Sequence, residues 1–407
     1  MTAQNQPGAR RRTTPQSGSH PREEEVMRVG FLSTYPPTQC GLATFTTALA
    51  TAVDDQPRAS AVVVRSVESP ERLSLDRVVG ELVAGDRLSQ RRAAEVLNSC
   101  DVAIIQHEYG IYGGVDGSEV LNVIRALRVP AIVVLHTVLA EPTAGQRDVL
   151  EAILGAAKSV VTMTGAARNR LLANYRVHAK KVVVIPHGAA AGPEDVAPVL
   201  GRVLTWGLLG PGKGLEWGIA AMAQLTDLEP APHYLIAGEI HPKVLARDGD
   251  VYRQQLLRQA EDLGVGHMVS FDSSYRPTQE LTRLIATAQV VLLPYDSTEQ
   301  VTSGVLIEAV AVGRPVVATR FPHAVELLTD GVGITLPHKD PTAIAVALRQ
   351  VLTDPETERR ARETAKRVGA TLLWPAVARR YLRLAADLLA PSSRAVGDSV
   401  GYSALES

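Results

Sequence analysis

The sequence predicts an α/β protein of two doubly wound domains facing each other across a cleft, and three observations carry that prediction. Short, β-branched apolar runs recur along both halves without polar alternation, as strands buried on both faces of a parallel sheet do. Helical stretches separate these runs, so the rhythm is strand, helix, strand. Near residue 195 the rhythm lapses and then restarts, dividing the chain into two β/α sets.

At 407 residues the chain is long enough for two cores of ordinary size. No apolar run approaches the ~20 residues that a membrane span needs. The net charge of −1 gives no overall field to recruit nucleic acid or an anionic bilayer. No amphipathic segment is distinctive, so a peripheral membrane contact is left open and a transmembrane segment is not expected. Two cysteines, Cys40 and Cys100, are too few for a disulfide framework and fit a reduced, cytoplasmic location.

Residues 1–26 are polar, with Arg10, Arg11 and Arg12 followed by Glu23, Glu24 and Glu25 and no apolar signal core, so a disordered tail is expected there. Strands are expected at 28–33, 61–64, 102–106, 131–135, 159–163 and 182–185, followed by an Ala-, Gly- and Pro-rich stretch, 189–201, with little pattern. The second set is expected at 203–206, 234–237, 269–272, 290–293, 316–319 and 333–336, with helices at 214–225, 251–263, 279–287, 303–312, 324–328 and 343–352. Helices at 356–368 and 375–389 follow no new strand, so they either cap the second domain or cross back to the first. Residues 391–407, rich in Ser, Gly and Ala, read as a second disordered tail.

The richest stretch runs from 283 to 323. Its strand ends at Pro294, a polar loop carries Asp296, Glu299 and Gln300, and a helix opens near Ser303, Gly304 and Val305 and bears Glu308. In open α/β sheets ligands bind at the carboxyl ends of strands, where helix N-terminal amides suit phosphate. After the first strand comes STYPPTQCGLATFT, in which Pro36 and Pro37 delay the helix and Gly41 permits close backbone approach. HEYGIYGG follows the strand ending at Gln106; its His107 and Glu108 lack the second zinc histidine, because position 111 is Ile111, so no metal site is expected. His136 ends the strand AIVVL and either contacts a ligand or caps the next turn, while His187 in IPHG, beside the presumed hinge, reads as structural. Gly207, Gly212 and Lys213 have the spacing of a phosphate loop, which raises a triphosphatase as a rival. Gly214 stands where that loop needs Ser or Thr for magnesium, so the stretch reads as a cation with backbone donors for a phosphate.

These motifs, with LLPY and above all TSGVLIEAVAVGRPVVATRFPHAVELL, resemble the retaining glycosyltransferases of family four (glycosyl transferases group 1), over about residues 27–389. The resemblance implies the GT-B fold of two Rossmann-like domains: an acceptor domain over 27–195, a nucleotide-sugar donor domain over 196–370, and a helix over 371–390 returning to the first. It implies transfer of a hexose, mannose or glucose, from GDP-mannose or UDP-glucose to the hydroxyl of a glycan, a lipid-linked sugar or a small molecule, with retention and with neither metal nor cofactor. It assigns Glu308 to the donor ribose, the amides near Ser303, Gly304 and Val305 with Gly212 and Lys213 to the diphosphate, His136 to the transferred sugar, and Gly41 to the loop facing donor and acceptor. Two departures stand out: the first glutamate of the family's pair falls on Gln300, with Glu299 one residue early, and the family's arginine falls on Leu208. They motivate the alternative of a catalytically silent sugar-nucleotide-binding protein.

Overall fold

The computed structural model describes residue 2 and residues 26–390, apart from 39, 72–75 and 275. The expected tails, 1–26 and 391–407, lie outside the described residues except for Thr2 and Val26.

The first half forms β1 (Met27–Ser33), α1 (Gly41–Asp54), β2 (Ala59–Val67), β3 (Val78–Val83), α2 (Arg87–Leu97), β4 (Val102–His107), α3 (Val120–Ala126), β5 (Ala131–Leu135), α4 (Ala144–Ala156), β6 (Ser159–Thr162), α5 (Gly165–Asn174) and β7 (Val182–Val184). Among the described residues its strands make one parallel sheet in the order β3-β2-β1-β4-β5-β6-β7. The central strands are buried throughout, which is why AIVVL and VAIIQ carry no polar alternation.

The second half forms β8 (Arg202–Trp206), α6 (Leu215–Met222), β9 (His233–Ala237), α7 (Pro242–Asp248), α8 (Val251–Asp262), β10 (Val269–Asp272), α9 (Thr278–Ala286), β11 (Val290–Leu293), α10 (Gly304–Ala311), β12 (Val316–Thr319), α11 (Pro322–Leu327), β13 (Gly333–Leu336), α12 (Pro341–Thr353) and α13 (Pro355–Gly369), and the described chain closes on α14 (Trp374–Leu389). The second sheet is also parallel, in the order β10-β9-β8-β11-β12-β13. Each sheet reverses its strand order once, at β1/β4 and at β8/β11, and a crevice opens at such a switch point. The loops of STYPPTQCGLATFT, HEYGIYGG, WGLLGPGKG and LLPY leave from these four strands.

Two expectations are corrected. Strand β3 was absent from the expected set: it is an edge strand of sequence VVGELV, mostly half-buried, so it shows no continuous apolar run. The helix expected from 214 begins instead at Leu215, with Gly214 in the left-handed conformation at φ 64°, and ends at Met222. A Cβ on Gly214 would lie 1.8 Å from the Pro294 carbonyl oxygen, so the loops after β8 and β11 touch at a point only glycine allows.

The cores lie on the faces of the two sheets. On one face of the first sheet, Phe31 and Val134 pack with Phe45 and Leu49 of α1 and with Val377, Ala378, Tyr381 and Ala385 of α14. The last helix therefore belongs to the core of the first domain. The crossing is pinned where Ala189 accepts from the Trp374 amide and donates to the Leu372 carbonyl.

Candidate functional site

The side chains of interest lie on the loops that leave the strands and on the helices that follow them. From the first domain, α1 opens at Gly41 behind an N-cap made by the Cys40 sulfur, which accepts from the Ala43 amide. A Cβ on Gly41 would meet nothing within 4 Å, so this turn faces open space. Four residues on, Phe45 is the hub of a ring cluster: His136 and His187 stand edge-on to it at 4.9 Å each, and Trp374 at 5.0 Å. His136 Nε2 is 2.7 Å from Gln106 Oε1, at the end of the neighbouring strand. Burial holds His136 neutral, pushing its pKa down to about 3, with His187 and His107 adding to the shift.

From the second domain, the loop after β8 turns at Gly207 and Gly212, both at positive φ, and presents Lys213. The Gly212 carbonyl accepts from the Asp296 amide, tying this loop to the one after β11. The Lys213 ammonium lies 4.5 Å from the centre of the Tyr295 ring, and burial lowers its pKa.

At the start of α10, Ser303 is the N-cap and accepts from the Leu306 amide. Its own amide donates to His323 Nδ1 at 2.8 Å, so Ser303 orients the helix end and its N–H is already used. The next amides, those of Gly304 and Val305, are first-turn donors without an acceptor inside the helix. A Cβ on Gly207 would meet Val305, which brings the two glycine-bearing turns together. Further along α10, the Glu308 carboxylate accepts from the Trp206 indole N–H at 2.9 Å, while burial raises its pKa.

These groups border two cavities. One, about 510 Å³, lies between the domains and is lined by His136, Thr137, Arg170, Glu299, Gln300 and Thr302, among others. Sequence positions 136 and 300 thus meet in one space. The other, about 190 Å³, sits over the carboxyl ends of β8 and β9, against Trp206, Leu208, Gly238, Glu239, Arg276 and Leu281.

The two neighbouring loop residues Glu299 and Gln300 differ in their attachments. Glu299 forms an ion pair with Arg170 of α5 at 2.8 Å, and its backbone carbonyl accepts from the same guanidinium. Gln300 donates its side-chain amide to the Thr302 carbonyl. The domains are tied again where the Glu326 carboxylate accepts from the Gly165 and Ala166 amides at 2.8 Å each, capping α5 from the opposite domain. Among the described residues no group of three or more His, Cys, Asp or Glu could hold a metal ion.

Sequence reasoning gave no role to Trp206, Phe45 or Arg170 and took His187 for structural. Their signal is spatial: each meets its partner across a domain or strand boundary, and no local spacing records that.

Residues 201–368 match the family described as "Glycosyl transferases group 1". The D-inositol 3-phosphate glycosyltransferase of Corynebacterium glutamicum is 32% identical over 185 residues, 45% of this chain and 43% of that protein. The GDP-mannose-dependent alpha-(1-6)-phosphatidylinositol monomannoside mannosyltransferase of Mycolicibacterium smegmatis is 33% identical over 151 residues, 36% of this chain and 37% of that protein. The chain thus matches less than half the length of these curated relatives. Among solved structures, Anabaena Alr3699/HepE in complex with UDP aligns with a TM-score of 0.71 at 17% identity, covering 89% of this chain and all of that one. A glycosyltransferase from Rickettsia africae aligns at 0.69 with 14% identity, covering 90% of this chain and all of that one. At that identity the likeness is one of fold. The second half, over residues 201–368, is thus similar to the glycosyl transferases group 1 family, within a two-domain chain of the GT-B fold.

Proposed function

We propose that the protein transfers a hexose from a nucleoside diphosphate sugar to an acceptor hydroxyl, with retention at the anomeric carbon and without a metal ion. The observation that carries this reading is the convergence, at the switch point of the second sheet, of Lys213, the Gly304 and Val305 amides, and the Glu308–Trp206 pair beside the 190 Å³ cavity. A cation and helix N-terminal amides suit a diphosphate, and a buried acid hydrogen-bonded to a tryptophan that lines a small, mostly apolar pocket suits a ribose below its base. The mannosyltransferase relative and the UDP-bound neighbour support a nucleotide donor, GDP-mannose or UDP-glucose.

In this mechanism the leaving diphosphate gathers charge as the glycosidic bond breaks. Lys213 and the α10 amides stabilise that charge in a cleft that excludes water. The acceptor hydroxyl attacks from the face the diphosphate leaves, and the diphosphate takes its proton. The 510 Å³ cavity, with His136 and Gln300 on its walls, receives the transferred sugar and the acceptor, a glycan, a lipid-linked sugar or a small molecule. A cytoplasmic location belongs to the same proposal, supported by the two free cysteines.

One observation favours a second reading, a silent sugar-nucleotide binder: Glu299 is held by Arg170 and the Gln300 amide by Thr302, so neither is free in this arrangement. Calorimetry with UDP-glucose and GDP-mannose, with and without chelator, followed by an assay of sugar transfer and the product anomer, separates the readings. Binding without turnover on a broad acceptor panel supports the silent binder, and binding of neither sugar nucleotide removes both.

A further inference from the structure

His187 follows β7 in the linker between the sheets, and its ring is fixed from the first domain by Phe45 at 4.9 Å and by Trp374 at 5.6 Å. Its Nδ1 is 2.6 Å from the Gly188 carbonyl oxygen. A carbonyl only accepts, so Nδ1 carries a hydrogen and the neutral ring leaves Nε2 with a bare lone pair. That nitrogen points across the domain boundary: a Cβ on Gly304, the first residue of α10, would lie 3.5 Å from it. Beside the two outward amides of α10, a lone pair is a poor neighbour for an anion and an N–H is a good one.

We infer that His187 is a donor-site residue of this chain, gaining a proton on Nε2 from solvent when a diphosphate occupies the α10 N-terminus and donating that N–H to it. The inference rests on the donor site proposed above and adds to it a proton and a residue from the linker. One N–H bond forms on the imidazole and one buffer acid loses its proton, so charge balances as the anion enters.

The groups facing His187 make the uptake conditional on the anion. His136 after β5 and His323 from α11 are both held neutral by burial, and Phe45 and Trp374 bring no charge. Burial pushes His187 down to about 4, opposed only by the Gly188 carbonyl, with no carboxylate contributing. The free protein therefore holds the ring neutral at pH 7 and above, and the bound anion supplies the missing counter-charge. Between the free and bound pKa values, affinity weakens by about tenfold for each unit of rising pH.

The test is calorimetry of UDP and GDP binding in two buffers of different ionisation enthalpy, at a pH where the nucleotide is fully ionised, with His187→Gln and His187→Asn alongside. Wild type is expected to take up close to one proton per nucleotide with an affinity that falls as pH rises, and the variants to take up none and show a flat profile. Thermal unfolding checks that the variants fold. Should they fail to fold, the wild-type His187 ring resonance decides: a shift from neutral to protonated on adding UDP supports the inference, and an unchanged neutral signal overturns it. Variants that keep the wild-type proton uptake also overturn it, leaving His187 a packing residue. If wild type binds neither nucleotide, the donor site itself falls; if it binds without proton uptake, only this inference does.

Discussion

At the scale of single residues, two substitutions report on the proposed donor site separately. Lys213→Ala removes the ammonium near the Tyr295 ring, and with it a charge aimed at the leaving group; kcat/KM for sugar transfer is expected to fall by roughly 10²–10³. A fall under threefold would take Lys213 out of the mechanism. Glu308→Gln keeps the shape and the contact with Trp206 but loses the charge, so nucleotide affinity should weaken by about 10-fold, measured by calorimetry. Arg170→Ala would free Glu299 on the wall of the large cavity. If Glu299 then serves the donor, affinity for the sugar nucleotide rises; if the ion pair only fastens the domains, affinity stays level or falls. The places of Lys213 in its loop and of Glu308 in its helix were legible in the sequence because each sits at a fixed offset inside a strand–loop–helix unit. His187 was not, because its partners come from α1, α14 and α10, far apart in sequence.

At the scale of elements, the buried strands read cleanly because parallel strands covered on both faces leave continuous β-branched runs, as in VVLL of β11 and VVAT of β12. Edge strand β3 did not, since Gly80 and Glu81 interrupt it, and Glu81 serves to pair the buried Arg65 of β2. Arg65 shows why β2 extends past its expected end at 64: a guanidinium 1% exposed continues the strand because carboxylates from β3 and from Glu71 meet it. The join between the loops after β8 and β11 gives a sharp prediction. Gly214→Ala would push a Cβ against the Pro294 carbonyl at a left-handed backbone position, costing about 2–4 kcal/mol in denaturant unfolding. The neighbouring Gly212, with open space around its Cβ position, carries only the backbone strain, so Gly212→Ala should cost about 1 kcal/mol.

At the scale of the whole molecule, four histidines around the cleft set how stability follows pH. Burial lowers His107 and His187 to about 4 and His136 and His323 to about 3, all below the ordinary value near 6.5. The unfolded chain therefore binds protons first as pH falls. Stability should be level above pH ~6.5 and decline below it by up to about 1.4 kcal/mol per unit for each histidine, a trend that denaturant midpoints at pH 7.5 and 5.5 would reveal. Equal midpoints would mean that these rings are solvated. The two-domain plan was legible because the strand rhythm restarts, but the clasp of Glu326 on α5 and of Arg170 on Glu299 was not, since ion pairs across domains leave no periodic trace. The return of α14 to the face holding Phe45 and Val134 has a consequence for biosynthesis. The half of the protein that leaves the ribosome first is the half that finishes last: its apolar α1 face stays uncovered until residues 374–389 emerge, while the intervening second domain already has all its strands. A nascent chain arrested before residue 374 should thus hold a protease-resistant second domain beside a first domain that still binds chaperones.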